Sequence, residues 1–407
     1  YASQSMQSRT QVGIIGAGPA GLMLAHLLHL RGIESVVLED RDRQYVEHRV
    51  RAGVLEQNTV ELLDQTGLSE RLHQEALVHH GIEVRFREHG HRIALSDLTG
   101  GRSITIYGQQ ELVKDLIVAR IASAEPLLFD VKDVALHDLT SDMPRLTYRH
   151  DGERHELQCR IIVGCDGFHG VSRAAIPPHL LTEYHHEFPF AWLGILADVA
   201  PSTDELIYAH HPRGFALHSL RSPHISRLYL QVAVDEDLQA WPDDRIWDEL
   251  ELRLASVDGW TLRRGPVLEK GIAGLRSFVA EPMRHGRLFL AGDAAHIVPA
   301  TGAKGLNLAI ADVYYLANAI DAWERGGDAH LVDAYSAYCL RRVWRVQDFS
   351  CGMSAMLHLD PTLGPFGYQR QLAQLDYLAS SRAAAASLAE NYVGLPFEPF
   401  PLDGRQP

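Results

Sequence analysis

The chain has 407 residues, 46% of them hydrophobic and 22% charged, proportions that fit a soluble globular protein with two or three cores and exclude a disordered or fibrous one. A net charge of −14 argues against a nonspecific phosphate-binding surface, so no nucleic-acid partner is expected. No apolar run approaches the roughly 18 residues of a membrane span, and the polar opening Tyr1–Thr10 lacks a signal-peptide core. Cys159, Cys165, Cys339 and Cys351 have neither C-x-x-C spacing nor the density of a disulfide framework, which predicts a cytoplasmic protein with packing cysteines.

Residues 1–10 are expected to be a tail outside the fold. From Gln11 to Glu39 the chain reads as strand, glycine turn, helix and strand. Apolar Val12–Ile15 leads into Gly16, Gly18 and Gly21 in G-x-G-x-x-G spacing, Gly32 stops the helix, and Glu39 ends the second strand. Gly16 allows the tight turn, Gly18 lets backbone approach a pyrophosphate, and Gly21 lets helix and sheet pack closely. The positive helix end faces the diphosphate, and Glu39 can accept hydrogen bonds from a ribose diol. Turns use glycine freely, so the triplet alone is weak; the whole strand-helix-stop-strand-acid series is what points to a dinucleotide cradle.

Further along, Val60–His73 and Leu112–Ala124 have helical spacing, whereas Glu83–Phe86, Ser103–Tyr107 and Leu146–Arg149 read as strands. Gln158–Val163 is an apolar strand entering a second glycine turn, Gly164-Cys165-Asp166-Gly167. From Phe188 to about Leu275 the alternating segments Trp192–Val199, Glu205–Tyr208, Phe215–Leu220 and Arg227–Val234 predict an inserted antiparallel sheet. Leu288–Leu290 is a third apolar strand, ending in Ala291–His296, and helices follow from Leu306 and over Asp312–Trp323, Leu331–Val346 and Tyr368–Asn391. The predicted class is α/β: a Rossmann-like nucleotide-binding domain over 11–185, completed by about 286–310, an antiparallel-sheet substrate domain over 186–285, and a helical region over 311–396. The adjacent pairs His79-His80, His185-His186 and His210-His211 cannot share one side of an element, and H-E-x-x-H, G-x-S-x-G and P-loop motifs are missing from the sequence. No metal, hydrolase or kinase chemistry is therefore predicted.

Taken together, Gly16–Gly21, Cys165-Asp166-Gly167 and Gly292-Asp293 resemble the three nucleotide motifs of the single-component flavoprotein aromatic hydroxylases. Arg49–Glu56, Cys165–Arg173, His211–Leu217 and Gly286–Leu308 are similar to the branch acting on 4-hydroxybenzoate, in register from about Gln11 to Pro396. The resemblance implies FAD, NADH or NADPH as electron donor, O2, and a flavin hydroperoxide that hydroxylates the ring beside a phenol to give 3,4-dihydroxybenzoate. A related hydroxylase for another small phenolic or anilinic acid, such as 3,4-dihydroxybenzoate or 4-aminobenzoate, is the alternative; a different class, a regulatory nucleotide-binding protein, would purify without a yellow chromophore. By resemblance, Tyr208 meets the substrate oxygen and passes its proton through Tyr392 to His79. Arg221 takes the substrate carboxylate as a forked donor, beside Ser219 and Tyr229. Arg227 supports the flavin side. The resemblance places Gly16, Ala17, Gly18, Gly21, Glu39, Arg49, Arg51, Gln109 and Asp293 against FAD, with Gly302, Leu306 and Asn307 bordering the isoalloxazine. Lys304 adds positive charge near the proton network, although an arbitrary turn lysine is usually solvated. No second glycine motif serves the nicotinamide nucleotide, and Arg51, His169, Arg173 and Arg276 are nominated for its phosphates. A homodimer contact in the C-terminal helices is also implied.

Two positions depart from the pattern. The family often carries a proline pair where this chain has Pro299-Ala300, and losing a ring that fixes φ loosens the loop that positions the phenol. Asp40 stands where NADPH-preferring relatives have arginine; a carboxylate repels a 2′-phosphate, Arg41 and Arg43 partly compensate, and NADH is the favoured donor.

Overall fold

A computed structural model of the protein describes residues 6–51 and 53–399. Four parallel strands, Leu288–Leu290, Glu153–Gly164, Met6–Ile15 and Ser35–Leu38, lie side by side in that order within an eight-stranded sheet. Register sets Ile15 against Gly164 and Leu38, and Gly164 against Leu290, so the carboxyl ends of all four strands are level. Val12, Ile14, Ile161, Ile162 and Val163 have no exposed surface, as expected of strands covered on both faces. The Pro19–Leu30 helix begins with proline at its first turn and shares this core with the Gly305–Gly326 helix. The expected tail is corrected in part: Met6–Thr10 is already strand, paired with His155–Cys159. Its side chains up to Arg9 are exposed, so this pairing is made by backbone and leaves no apolar pattern to read.

The second sheet also has eight strands, in the order His296–Ile297, Val267–Glu281, Thr182–Ala197, Ser226–Val232, Ala216–Leu220, Ile207–Ala209, Ile82–Phe86 and His89–Ile93. Its last two strands come from the first third of the chain, and Ile207–Ala209 runs parallel to Ile82–Phe86. Alternation in Ile82, Val84 and Phe86 shows that one face is buried but not which sheet buries it. An unforeseen helix, Asp243–Arg253, covers the outer face, packing Ile246, Trp247 and Leu250 with Leu193, Ile195, Leu228 and Leu230. The inner face packs Tyr208, Phe215 and Leu217 with Met353, Leu357, Leu372 and Leu375 of the C-terminal helices.

Two predicted helices are broken. Val60–His73 becomes Gln57–Gln65 and Glu70–Glu75, interrupted at Gly67, where φ is +77°. Tyr368–Asn391 becomes Gly364–Ser380 and Arg382–Val393, with the Ser381 hydroxyl capping Ala384 N at 3.2 Å. The helix predicted over Leu331–Val346 continues to Leu357. No described helix is long and apolar enough to cross a membrane.

Candidate active site

At the level carboxyl edge of the first sheet, three turns leave side by side, tied by Gly16 N to Leu38 O at 2.7 Å, Cys165 N to Ile15 O at 2.8 Å and Ala291 N to Gly164 O at 3.1 Å. Gly16 has φ +108°, and a Cβ there would stand 2.1 Å from Cys165 O; one on Gly21 would stand 2.0 Å from Gly16 O. Both glycines are demanded by the protein itself. A Cβ on Gly18 would meet nothing within 4 Å, so the protein leaves the space over that glycine open. The following helix has no side-chain cap, leaving its first N–H groups for an anion. Glu39 is held at the strand end by Ala17 N at 3.1 Å and Arg41 N at 2.8 Å. Asp293 is exposed in the Gly292–Ala294 turn, and burial, with help from Arg49, lowers the Arg51 guanidinium pKa while Asp293 opposes the change. Arg49 follows the Arg43–His48 helix and Gln109 opens the Gln109–Ala122 helix. Open space above Gly18, uncapped N–H groups and the two acids fit the diphosphate and ribose of FAD.

Asp166 does not join the cradle. Its carboxylate accepts Val171 N at 2.7 Å and Ser172 N at 2.9 Å, together with the Ser172 hydroxyl, and so stabilises its own turn. At the opposite border, Leu306 and Asn307 lie in the first turn of the Gly305–Gly326 helix, whose leading N–H groups lack intrahelical partners. The Asn307 side chain is fully engaged by protein: Oδ1 accepts Glu56 N at 2.9 Å and the Thr59 hydroxyl at 2.8 Å, and Nδ2 donates to Val54 O and Ala303 O. A Cβ on Gly302 would stand 2.9 Å from Ser350 Oγ.

The candidate substrate residues share one face of the second sheet. Tyr208 is opposite Leu217, Leu217 opposite Tyr229, and Ser219 opposite Arg227; the period of two carries the same face on to Arg221. The Arg221 guanidinium donates to Arg51 O at 2.8 Å and to Gln110 Oε1 at 3.1 Å, Ser219 Oγ donates to Arg227 O at 2.8 Å, and Arg227 Nε donates to the Tyr229 hydroxyl at 3.0 Å. Burial lowers the Arg221 pKa, with Arg227 adding to the effect, so the cation is partly desolvated. Ala300 is exposed at the start of the Ala300–Gly302 turn.

The hydroxyls of Tyr208 and Tyr392 are 2.6 Å apart, and both side chains are buried. Burial raises both phenol pKa values above the ordinary tyrosine range, so the pair stays neutral and is suited to passing protons. The sequence left unseen the acceptor at the other end of Tyr208, the Thr301 carbonyl at 3.1 Å. His79 is buried with neither ring nitrogen bonded to another described group. Burial lowers its pKa to about 4 against the pull of Glu205 and Asp204, so instead of titrating near neutrality it would pass a proton on without storing it. Lys304 is not solvated: it is 2% exposed and donates to Asn391 O at 2.5 Å and Tyr392 O at 2.9 Å, with Glu56 at 3.4 Å. The ammonium thus sits on the carbonyl end of the helix that carries Tyr392.

Of the four nominated nicotinamide residues, Arg173, Arg276 and His169 gather around Phe168, a residue no motif had singled out. Arg276 lies 4.0 Å and Arg173 4.7 Å from its ring centroid, and His169 meets it edge-on at 5.0 Å. Arg173 is held by Ala294 O, Phe168 O and Glu183. Arg51 belongs to the Asp293 side instead. Another unforeseen pair lies beneath Asp293: His296 Nε2 is 2.5 Å from Asp312 Oδ2, which also accepts Gly292 N at 3.0 Å.

A family profile described as an FAD binding domain matches residues 9–350. The chain is 47% identical to p-hydroxybenzoate hydroxylase of Acinetobacter baylyi, with 97% of this chain and 98% of that protein covered. It is 28% identical to the rifampicin monooxygenase of Streptomyces venezuelae, over 89% of this chain and 74% of the other. Its fold matches the crystal structure of p-nitrophenol 4-monooxygenase from Pseudomonas putida DLL-E4 with a TM-score of 0.81 at 19% identity, covering 96% and 100% of the two chains. The profile match over most of the chain and the 47% identity together show that the chain belongs to the FAD-dependent monooxygenase family that includes p-hydroxybenzoate hydroxylase.

Proposed function

We propose that this enzyme hydroxylates 4-hydroxybenzoate to 3,4-dihydroxybenzoate, consuming NAD(P)H, a proton and O2 and releasing NAD(P)+ and water. The observation that carries the reading is the buried Tyr208–Tyr392 hydroxyl pair at 2.6 Å on the same sheet face as the cation Arg221: one end of the pocket ionises a phenol and the other holds a carboxylate. The 47% identity to a p-hydroxybenzoate hydroxylase supports it. When bound, reduced FAD supplies the oxygen-activating chemistry. The protein's part is to make the ring nucleophilic and to hold it still. Arg221, with Ser219 and Tyr229 beside it, fixes the carboxylate; Tyr208 takes the phenol proton, Tyr392 hands it on, and His79, through a bridging water, delivers it to solvent. Ionisation pushes electron density onto the carbon beside the phenol oxygen, the position to be hydroxylated. Arg49, Arg51, Gln109, Glu39 and Asp293 would hold the FAD, and the first-turn N–H groups at Leu306 and Asn307 would offer positive charge to it on reduction.

His169, Arg173 and Arg276 around Phe168 receive the dinucleotide phosphates. Asp40 lies 3.0 Å from Lys132 and 3.6 Å from Arg41, so its repulsion of a 2′-phosphate is softened, and NADH remains the favoured donor. The proposal extends to a homodimer acting in the cytoplasm; sedimentation of the holoenzyme checks the first. The central test is anaerobic flavin reduction by NADH and by NADPH, with and without 4-hydroxybenzoate, followed by O2 and product analysis. Substrate-stimulated reduction and 3,4-dihydroxybenzoate are expected; product only from another phenolic or anilinic acid would move the assignment, and a higher kcat/KM for NADPH would overturn the donor preference.

A further inference from the structure

Behind the Tyr208 hydroxyl lies a chain of hydrogen bonds whose directions can be worked out. Ser354 Oγ donates to Ser350 O at 2.8 Å, so its single proton is spent, and the 2.7 Å contact with Thr301 Oγ1 must be a donation by threonine. That bond pins Thr301 from behind while its carbonyl accepts from Tyr208 at 3.1 Å. Tyr208 in turn has one proton, so in the 2.6 Å pair Tyr392 is the donor.

One helical turn after Ser354, His358 continues the arrangement. Trp192 Nε1 can only donate, so the 2.7 Å contact makes His358 Nε2 the acceptor and leaves the imidazole proton on Nδ1, donated to Ser354 O at 2.9 Å. The ring is stacked on Phe190, with centroids 4.2 Å apart and an interplanar angle of 1°, and it has no exposed surface. Burial lowers its pKa to about 3, which keeps the ring neutral, while the two hydrogen bonds set the tautomer. Trp192 stands two residues from Gly194, the partner of Tyr229, and its ring centroid is 4.7 Å from that of Tyr229. It therefore shares the candidate pocket's sheet face. Ser354 and His358, at the end of the long C-terminal helix, thus grip both the carbonyl at the phenol end and the aromatic wall on the sheet.

Resting on the function proposed above, we propose that Ser354 and His358 are positioning residues for hydroxylation: by locking Thr301 and Trp192 they fix where the phenol ring stands and which way the tyrosine pair points before substrate arrives. Here the pair points from Tyr392 through Tyr208 to Thr301. Taking a proton from a bound phenol requires the reverse order, so Tyr208 has to leave the Thr301 carbonyl when substrate enters. A rigid carbonyl makes that exchange a choice between two defined states, whereas a loose one would follow the hydroxyl and let the ring wander.

The test compares holoenzyme with Ser354→Ala, which frees Thr301, and His358→Phe, which keeps the stack but loses both ring hydrogen bonds. Product formed per NADH oxidised, peroxide released, KM for 4-hydroxybenzoate and Tm are measured, and Ser354→Thr serves as the conservative rescue. The expected result is a fall in product per NADH of about a third or more in both variants, matched by peroxide, with KM changed less than about twofold and coupling restored in Ser354→Thr; the margin reflects a hydrogen bond worth a few-fold in a competing rate. A purely structural role would lower Tm and leave the product ratio at the wild-type value, which overturns the proposal. Wild-type enzyme that makes no 3,4-dihydroxybenzoate defeats the functional reading itself and the positioning role with it; a normal wild type with unchanged variants defeats the positioning role alone.

Discussion

Lys304 offers the sharpest link between stability and chemistry. Its ammonium is buried against Asn391 O at 2.5 Å, Tyr392 O at 2.9 Å and Glu56 at 3.4 Å, with side-chain exposures of 2% for Lys304 and 10% for Glu56. Lys304→Met keeps much of the stem's volume but leaves the Glu56 charge without its cation and two helix-end carbonyls without a donor. Breaking one side of a buried pair costs about 3–5 kcal/mol, and loss of a cation from a helix carbonyl end about 0.3–1 kcal/mol more. Glu56→Gln in the Lys304→Met background removes the stranded charge, so the loss in the double variant should be about 2 kcal/mol smaller than the sum of the single losses. Urea unfolding of the apoprotein, and of holoenzyme at one fixed FAD concentration, measures each corner of the cycle. The single Lys304 variant should also hydroxylate more slowly, since the helix end carrying Tyr392 loses its anchor. Losses that add to within about 0.5 kcal/mol would show that the pair is not coupled and would refute the argument.

Tyr392→Phe interrupts the relay while leaving Tyr208 bonded to Thr301; ionisation of bound 4-hydroxybenzoate, followed by ultraviolet absorbance, should slow about 100-fold or more, and an unaltered rate would remove Tyr392 from the path. Ala300→Pro suits its site, because Ala300 opens a turn and Pro299 already has φ −61° and ψ 143°. It should stabilise the protein by about 0.4–1 kcal/mol and raise product per NADH, and an unchanged ratio of product to peroxide would count against it. Burial lowers His358 to about 3 and His79 and His218 to about 4. With folded values below 6.5 the unfolded chain binds the extra protons, so stability is full above about pH 6.5 and falls below it, by up to roughly 3 kcal/mol for each imidazole by about pH 4. His296 has the opposite sign: burial works against its charge, Asp312 outweighs burial and raises its pKa, and its contribution is lost as pH rises. Urea midpoints that stay level from about pH 7 to 5 would contradict the net direction, since His26, His210 and His211 are depressed as well and six lowered imidazoles oppose the raised His296.

The sequence alone fixes the glycine turns of the first sheet and the face on which the candidate substrate residues of the second stand. Local rules suffice for Gly16 and Gly21, because a tight turn and a close helix approach exclude a Cβ wherever the rest of the chain goes, and the alternation from Tyr208 to Tyr229 defines a face in any sheet. Tertiary structure decided what those residues touch. Ile82–Phe86 joined the second sheet because an amphipathic strand names its buried face but not its neighbour. The resemblance sets Lys304 near the proton network, but only the fold brings the end of a helix more than 80 positions later over it, and Ser354 and His358 carry no motif because what ties them to Thr301 and Trp192 is a set of directed hydrogen bonds between distant segments. Spacing along the chain records which turns and faces can form; the protons and charges that make them work are placed only when those segments pack together.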